Sequence, residues 1–267
     1  MNKKNRVVVI VWILVIVAVL VGIILTNKQQ EKHETVKEMM RDAVLHEANH
    51  ISFLGIKDIN PGLVSAFVVT AGLLIVAVLI RIFFIPRLKR IPGKFQLFLE
   101  ELVSFFHKFA KTNSPHSNRL LGAYIFGAGM YIFWGTIFEL TGFQAISTKG
   151  HAITLPAPLS DINGAIALGS LSYLVILSGG LLKNGIKGLG SALKDFSMPV
   201  SMSFRLFGAL LSGVLVTELV YYYIGLSFIL QKRQFSIITM HAVIQTYVLI
   251  TLTASTYGEV TEPREKK

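Results

Sequence analysis

The sequence lacks cysteine and is poor in charged residues. None of its 267 residues is cysteine, which excludes disulfides, thiolate catalysis and cysteine-ligated zinc. Only 15% of the residues are charged whereas 52% are hydrophobic, and this balance excludes an ordinary soluble domain. Internal repeats and low-complexity tracts are also absent. We therefore expect an all-α polytopic membrane protein.

Acidic residues are the scarcer charged group, 15 against 26 lysines and arginines. The excess lies in short segments beside apolar runs, where membrane orientation requires it, and does not indicate nucleic acid. Basic residues are concentrated at 87–119, which predicts a cytoplasmic loop. Residues 183–194 and both termini then fall on the cytoplasmic side. The segment 27–60 and the loops at 141–160 and 231–234 fall outside.

Six apolar runs are long enough to span a bilayer. They comprise residues 7–25, 61–85, 120–140, 162–182, 196–230 and 235–257. As one helix, the run at 196–230 would measure ~52 Å against a hydrocarbon core of ~30 Å, so it must be tilted, broken or partly outside. With the last run it is expected to form a long tilted helical hairpin. Residues 95–111 mix phenylalanine and leucine with charged residues, which predicts an interfacial amphipathic helix.

The first 60 residues differ from the rest of the chain. A basic start precedes the apolar run at 7–25, which is typical of a signal peptide or of an uncleaved anchor. The run is long and no small-x-small cleavage site follows, which favours the anchor. Residues 35–50 can form an amphipathic helix. We predict an additional N-terminal span and polar outer segment at 1–60, and a membrane domain at 61–267.

A zinc-protease pattern, H-E-x-x-H, occurs at His46, Glu47 and His50. Histidines four apart on a helix share a face and can bind zinc, with the glutamate activating water. The pattern is short, and the nearest downstream helical acids, Glu100 and Glu101, are predicted on the other side of the membrane. We interpret it as a chance match and expect no metal site.

Arg205 lies about nine residues, or ~13 Å, inside the run at 196–230. An arginine at bilayer depth costs roughly 2.5–3.5 kcal/mol, which indicates a functional residue. On a helix its face is otherwise lined by small residues, and their spacing lets another helix approach closely. These are Ser201, Gly208, Ala209 and Ser212, with Gly213 completing a second small-xxx-small pair. The alternative is that Arg205 snorkels to one interface.

Other polar residues lie in or at the outer ends of the apolar runs. They are Glu139, Asp161, Asn163, Glu218, His241 and Gln245. Together they suggest a hydrated path through the membrane. Structural alternatives exist: Asp161 can cap its helix, Glu139 can lie in the interface, and Gln245 can join two helices. Glu218 can reach the outer surface, and His241 by itself needs no functional explanation.

Two of these segments resemble the signature helices of subunit a of the rotary F-type ATP synthase. They are PVSMSFRLFGALLSG at 199–213 and IQTYVLITLTASTY at 244–257. Weaker family patterns occur in IPGKFQLFLEELV at 91–103, of the form P-G-x-x-Q-x-x-x-E, and in LSDINGAIAL at 159–168, of the form A-D-x-N. The resemblance runs from about residue 60 to residue 257 and does not cover the first span.

The resemblance implies roles for individual residues. Arg205 is similar to the family's essential arginine, and Gln245 to its partner glutamine. Asp161 and Asn163 match the A-D-x-N positions. Glu139 falls where some members carry an acid near the outer half-channel.

Three positions depart from the family pattern: Ala209 replaces an asparagine, Val214 an acid, and Ile238 an acid or histidine. Glu218 lies one helical turn beyond Val214, and His241 nearly one turn beyond Ile238, on the same faces. We hypothesise that Glu218 and His241 replace the usual outer-channel groups.

The resemblance further implies a stator in a bacterial inner membrane, beside a rotating ring of c subunits and with peripheral-stalk b subunits among its partners. The chain itself would catalyse no reaction and needs no cofactor. Residues 183–195 would border the inner half-channel. The sequence leaves the coupled ion open, H⁺ or Na⁺. The competing interpretation is a secondary transporter with Arg205 as an anion site, which predicts inverted repeats.

Overall fold

Helices make up most of the part of the chain that the structure describes. The computed structural model describes residues 51–53, 56–146, 152–222 and 224–263. Six α-helices occur in these ranges: α1 Pro61–Leu79, α2 Lys94–Asn113, α3 Asn118–Phe138, α4 Ile162–Lys194, α5 Ser197–Tyr222 and α6 Ile224–Thr261. The predicted span at 7–25 and the predicted helix at 35–50 lie outside the described residues.

Four helical stretches of the described chain are long and apolar enough to cross a membrane. They are Pro61–Arg87, Asn118–Thr141, Ile162–Lys194 and Ile238–Thr261. Each overlaps one of the predicted spans, so the expectation of a mostly helical, polytopic membrane protein is confirmed. The count of six spans and the long tilted hairpin stay predictions.

Two short antiparallel strand pairs add to the all-α architecture that the sequence predicts. β1 (Ile51–Phe53) pairs with β2 (Ile56–Ile59), and β3 (Gln144–Ile146) pairs with β4 (Ala152–Thr154). Such short segments cannot form a stable helix, and pairing satisfies their backbone N–H and C=O groups. Strands of three or four residues give no clear alternation of polar and apolar positions, and the sequence analysis missed them for that reason.

Helix α4 is bent back on itself at Gly185, which has φ 59° and ψ −145°. Only glycine adopts this backbone conformation without strain. Beyond the bend the chain stays helical to Lys194, so the basic, glycine-rich stretch at 183–194, a connector by its composition, is helical for most of its length. The Tyr173 hydroxyl donates a hydrogen bond to the Ala192 carbonyl at 3.1 Å, so the second arm packs along the first.

Glycines allow the two arms of α4 to approach closely. A Cβ at Gly188 would overlap the Gly180 carbonyl oxygen. The first arm, residues 162–184, would measure ~34 Å, enough to span the hydrocarbon core. The second arm is only nine residues long, 186–194, and runs back beside the end of the first.

Helix α6 begins far earlier than the sequence indicates. The predicted outer loop at 231–234 is wrong, because these residues continue α6, which extends from Ile224 to Thr261. Helix α5 ends at Tyr222, so the apolar run at 196–230 belongs to two helices. Lys232 and Arg233 interrupt the hydropathy without breaking the helix, since both are good helix formers.

Helix α3 lies at the centre of the packing. Near its start, Leu121 and Ile125 are fully buried with Ile176 of α4 and Ile250 of α6. Further along, its residues pack with α4, α5 and α6 in a second cluster. That cluster includes Ala128, Ile132, Leu168, Met202, Leu206, Leu210 and Leu249. A bundle of this kind can hold one face of α5 in place while leaving the opposite face open.

The helix ends converge in two groups. The starts of α1 and α4 meet, because a Cβ on Gly62 would lie 2.9 Å from the Asp161 Cβ. At the opposite end, the Asn184 side chain donates hydrogen bonds to the carbonyls of Val260 and Glu262 at 2.8 and 2.9 Å. The bend of α4 and the end of α6 therefore share one end of the bundle. This agrees with their predicted placement on one side of the membrane.

Candidate functional site

Helix α5 has one buried and one exposed face. Met202, Leu206 and Leu210, spaced four apart, are 2–3% exposed and fill the core. The opposite face is exposed and carries the residues singled out in the sequence. Its exposed members are Ser201, Phe204, Arg205, Gly208 and Ser212, and Ala209 and Gly213 at its border are half-buried.

The Arg205 side chain lacks a polar partner in the part of the chain that the structure describes. It is exposed, and no hydrogen bond or ion pair joins it to another described residue. A guanidinium carries five N–H donors and a permanent charge, so it needs an acceptor in a membrane. The described residues supply none, which leaves this donor group open to an acceptor from elsewhere.

The glycines beside Arg205 have room for a side chain next to the described residues. A Cβ at Gly208 or Gly213 would meet no atom within 4 Å. On α4, in contrast, a Cβ at Gly169 would overlap Ser203 Oγ and come within 2.9 Å of the Pro199 carbonyl. Gly169 is therefore required by packing within the chain. Gly208 and Gly213 instead leave the outer surface of α5 without protruding side chains at their positions.

Helices α5 and α6 run antiparallel. Thr256 of α6 donates a hydrogen bond to the Met198 sulfur of α5 at 3.2 Å, and Leu249 packs in the same cluster as Leu206. In this register, Arg205 of α5 lies across from about position 249 of α6. That position is about one helical turn from Gln245. The two residues therefore lie at similar heights in the bundle.

Gln245 itself points inward. It is 7% exposed, and its Oε1 has no hydrogen-bond partner among the described residues. The exposed face of α6 carries other residues instead, namely Met240, Val243, Ile244 and Tyr247. Gln245 and Arg205 thus lie on differently oriented faces, one buried and one exposed. A buried amide oxygen without a partner is costly and indicates that water or a moving side chain satisfies it.

Asp161 caps helix α4, as one of the two sequence interpretations predicts. Its Oδ1 accepts hydrogen bonds from the Asn163 backbone N–H at 3.2 Å and from the Asn163 side chain at 3.4 Å. Both residues line a cleft of about 630 Å³ between α1, α3 and α4. Capping therefore leaves these polar groups facing an open space.

The remaining predicted residues are distributed over the bundle. Glu139 is half-buried in the 3₁₀ turn Glu139–Thr141 after α3. His241 is half-buried on α6, one turn before Gln245. Glu218 lies in α5, but its side chain lies outside the described part of the chain. His46, Glu47 and His50 also lie outside it, and the interpretation of their motif as a chance match stays a prediction.

The structure gives a reason for the P-G-x-x-Q-x-x-x-E pattern that sequence reasoning left without one. Gln96 of α2 exchanges two hydrogen bonds with the Lys89 backbone, at 3.1 and 2.9 Å. Its amide also donates to Glu100 at 2.7 Å. The glutamine thus holds the basic turn before α2 against the helix, and the glutamate four residues later orients that glutamine.

A comparison with protein-family models adds independent evidence to this geometry. The model for the ATP synthase A chain matches residues 65–257. This range contains the Arg205 and Gln245 helices and the Asp161 cap, and it begins close to the start of the predicted resemblance. The chain therefore belongs to the ATP synthase A chain family, subunit a of the F-type ATP synthase, and works with the other subunits of that complex in a membrane.

Proposed function

We propose that this subunit is the stationary half of the ion path. It would form two half-channels against a rotating ring of c subunits and couple the flow of H⁺ or Na⁺ to ATP synthesis. The observation that carries the proposal is Arg205, an exposed cation that makes no hydrogen bond or ion pair with another described residue and lies on a face with several small residues. Its acceptor would be a carboxylate of the ring.

The chemistry of arginine suits this role. Guanidinium stays charged at any relevant pH, whereas a lysine facing lipid could lose its proton. A ring carboxyl that passes Arg205 would meet a fixed cation, which favours the ionised form and lowers the pKa of that carboxyl. The ion therefore leaves on one side of Arg205, and the next carboxyl is reloaded on the other side.

The small residues of α5 would provide clearance for the ring. Gly208, Ala209, Ser212 and Gly213 let a neighbouring helix approach closely, and Gly208 and Gly213 have open space above them. A moving partner needs such a surface, because interlocked large side chains would have to repack at each step.

Polar groups at one end of the bundle would line the outer half-channel. Asp161 and Asn163 face the cleft between α1, α3 and α4. Glu139, His241 and Glu218 would continue the path toward Arg205. Gln245, whose Oε1 lacks a partner, would hold water at the height of Arg205.

The inner half-channel would lie near residues 183–195, which include the bend and the second arm of α4. The fixed charge of Arg205 would bar ions from passing straight between the two half-channels. The driving force is the membrane potential, ~2.3 kcal/mol per charge per 100 mV. Peripheral-stalk b subunits would hold the chain still against the rotor.

Substitution of Arg205 tests the proposal directly. We expect Arg205→Ala to abolish ATP-driven ion transport in inverted vesicles, because no fixed cation then separates the half-channels. The variant should still co-purify with the ring and the peripheral ATPase subunits, since no hydrogen bond or ion pair joins Arg205 to another described residue of its own chain.

Arg87→Ala provides the matched control, because Arg87 is exposed in the basic turn before α2, away from this face. We expect it to transport ions normally. Coupled transport that persists in Arg205→Ala would refute the proposed role.

A further inference from the structure

A second cavity lies at the opposite end of α3 from the Asp161 cap. It has a volume of about 550 Å³ and is lined by His116, Asn118, Arg119 and, from α4, Lys183. Arg119 and Lys183 are exposed and come from two different helices. None of the described residues that line it carries a carboxylate. The cavity is therefore positively charged and suits an anion.

This basic cavity adjoins the apolar cleft between α1, α3 and α4. Ala123 lines both of them. The cleft is lined mainly by small and aliphatic residues, among them Leu63, Ala66, Gly127, Ala128, Ala167 and Leu171. Its tyrosine Tyr124 has its hydroxyl engaged with Ser172 at 2.6 Å, which leaves the wall apolar.

The dimensions of the cleft match one leaflet of a bilayer. Along α3 it extends from Ala123 to Tyr131, eight residues or ~12 Å. Half of a ~30 Å hydrocarbon core is ~15 Å. A cationic mouth followed by an apolar groove of this depth is complementary to a molecule with an anionic head and an acyl chain.

We infer that this composite site binds an anionic phospholipid. Its phosphate would lie between Arg119 and Lys183, and one acyl chain would run along the cleft past Gly127. Arginine and lysine are the usual ligands of phosphate groups, and juxtamembrane basic pockets suit anionic lipid headgroups.

The lipid would also have a role in transport, and this part rests on the proposed function. The far end of the cleft carries Asp161 and Asn163, which we place in the outer half-channel. An acyl chain in the cleft would block water at the Asp161 end, so that this water could not reach the basic cavity. The lipid would thus close a leak beside the ion path.

Lipid retention by the purified complex tests the site without reference to transport. Wild-type and variant complexes are incubated with equal amounts of phosphatidylglycerol and phosphatidylcholine, and bound lipid is counted by native mass spectrometry. We expect the double variant Arg119→Gln, Lys183→Gln to bind phosphatidylglycerol roughly 30-fold more weakly, because it loses two cations. The exposed pair Arg90→Gln, Lys187→Gln, outside the cavity, is the matched control and should retain the lipid.

Gly127→Leu tests the acyl-chain half of the site. A Cβ at Gly127 meets nothing within 4 Å, so leucine fits without a clash and fills the cleft. We expect weaker phosphatidylglycerol binding although both cations remain. If the double variant does not assemble, phosphatidylglycerol binding by Gly127→Leu still tests whether the cleft holds an acyl chain.

Three results would overturn the inference. The first is equal phosphatidylglycerol retention in all variants, and the second is equal retention of phosphatidylcholine by the wild type. The third is displacement of the lipid by inorganic phosphate together with unchanged binding in Gly127→Leu, which would indicate a site for a free anion. Each can occur while Arg205→Ala still abolishes transport, so failure here is distinct from failure of the proposed function.

Discussion

A cation on the outside of an apolar helix bundle is unstable unless something outside the chain stabilises it. For Arg205 the insertion cost is roughly 2.5–3.5 kcal/mol. The buried face of α5 is made by Met202, Leu206 and Leu210, and Arg205 takes no part in it. Packing of the described residues therefore gives no reason for the arginine, and we propose that its requirement comes from the complex.

The same argument applies to Gly208, and it gives a prediction. A helix glycine costs up to ~1 kcal/mol relative to alanine, and Gly208 contacts nothing within the described chain. We expect Gly208→Leu to leave the subunit folded but to lower ATP-driven ion transport roughly tenfold, because overpacking against a close neighbour costs ~1–3 kcal/mol.

The control for Gly208→Leu is Gly72→Leu. Gly72 lies on α1, is exposed, and also has open space around it. Transport by the control should equal that of the wild type. Normal transport in Gly208→Leu would show that no rotor passes over this face.

At the scale of whole helices, hydropathy indicates which segments are apolar but not where the chain bends. Two neighbouring segments illustrate this. The basic, glycine-rich stretch at 183–194 has the composition of a loop, yet it is helical and folds back at Gly185. Lys232 and Arg233 have the composition of a turn, yet α6 continues through them. Helix propensity and packing overrode local polarity at both places.

The bend itself gives a prediction. Gly185 has a positive φ, and a Cβ there would meet no atom within 4 Å. Gly185→Ala should therefore destabilise the chain by backbone strain alone, roughly 1–3 kcal/mol. Thermal unfolding of the purified subunit should show a Tm lower by about 2–4 °C for each kcal/mol.

Gly190→Ala is the control for Gly185→Ala. It distinguishes backbone strain at a positive φ from the general effect of replacing a helix glycine by alanine. Gly190 is a helical position of the same arm, with open space around it. Its replacement should leave the Tm unchanged or raise it slightly, since alanine is the better helix former. A Gly185→Ala variant as stable as Gly190→Ala would contradict the bend.

At the scale of the whole molecule, the membrane topology depends on which helix ends lie together at each end of the bundle. The pair β3 and β4 follows α3 and precedes α4, at the end where Gly135 of α3 approaches Pro158. The bend of α4 lies at the end where Asn184 meets the last turn of α6. We propose that the first end is external and the second cytoplasmic.

The absence of cysteine makes this topology easy to test. A single introduced cysteine is the only cysteine of this chain that a maleimide can label, and the labelled chain is read after separation from other proteins. We expect a membrane-impermeant maleimide to label Gln144→Cys in intact cells and Lys187→Cys only in inverted vesicles. Both positions are exposed. The opposite pattern would reverse the orientation, and labelling of both in intact cells would place them on one side.

Much of this protein could be predicted from its sequence, because the relevant signals are local. Apolar length identified the four described spans, the spacing around Arg205 identified a small-residue face, and the motifs at 199–213 and 244–257 indicated the family that residues 65–257 match. These properties depend on residues close together in the chain. They do not require knowledge of which helix packs on which.

Only the tertiary structure could decide the rest. That Gln245 is buried while Arg205 is exposed depends on how α5 and α6 are rotated against α3 and α4. That Arg119 and Lys183 share a cavity depends on how the start of α3 packs beside the end of the first arm of α4, which brings together residues 64 positions apart. Helical periodicity gives the faces of each helix, but which face turns inward is set by packing among all of them.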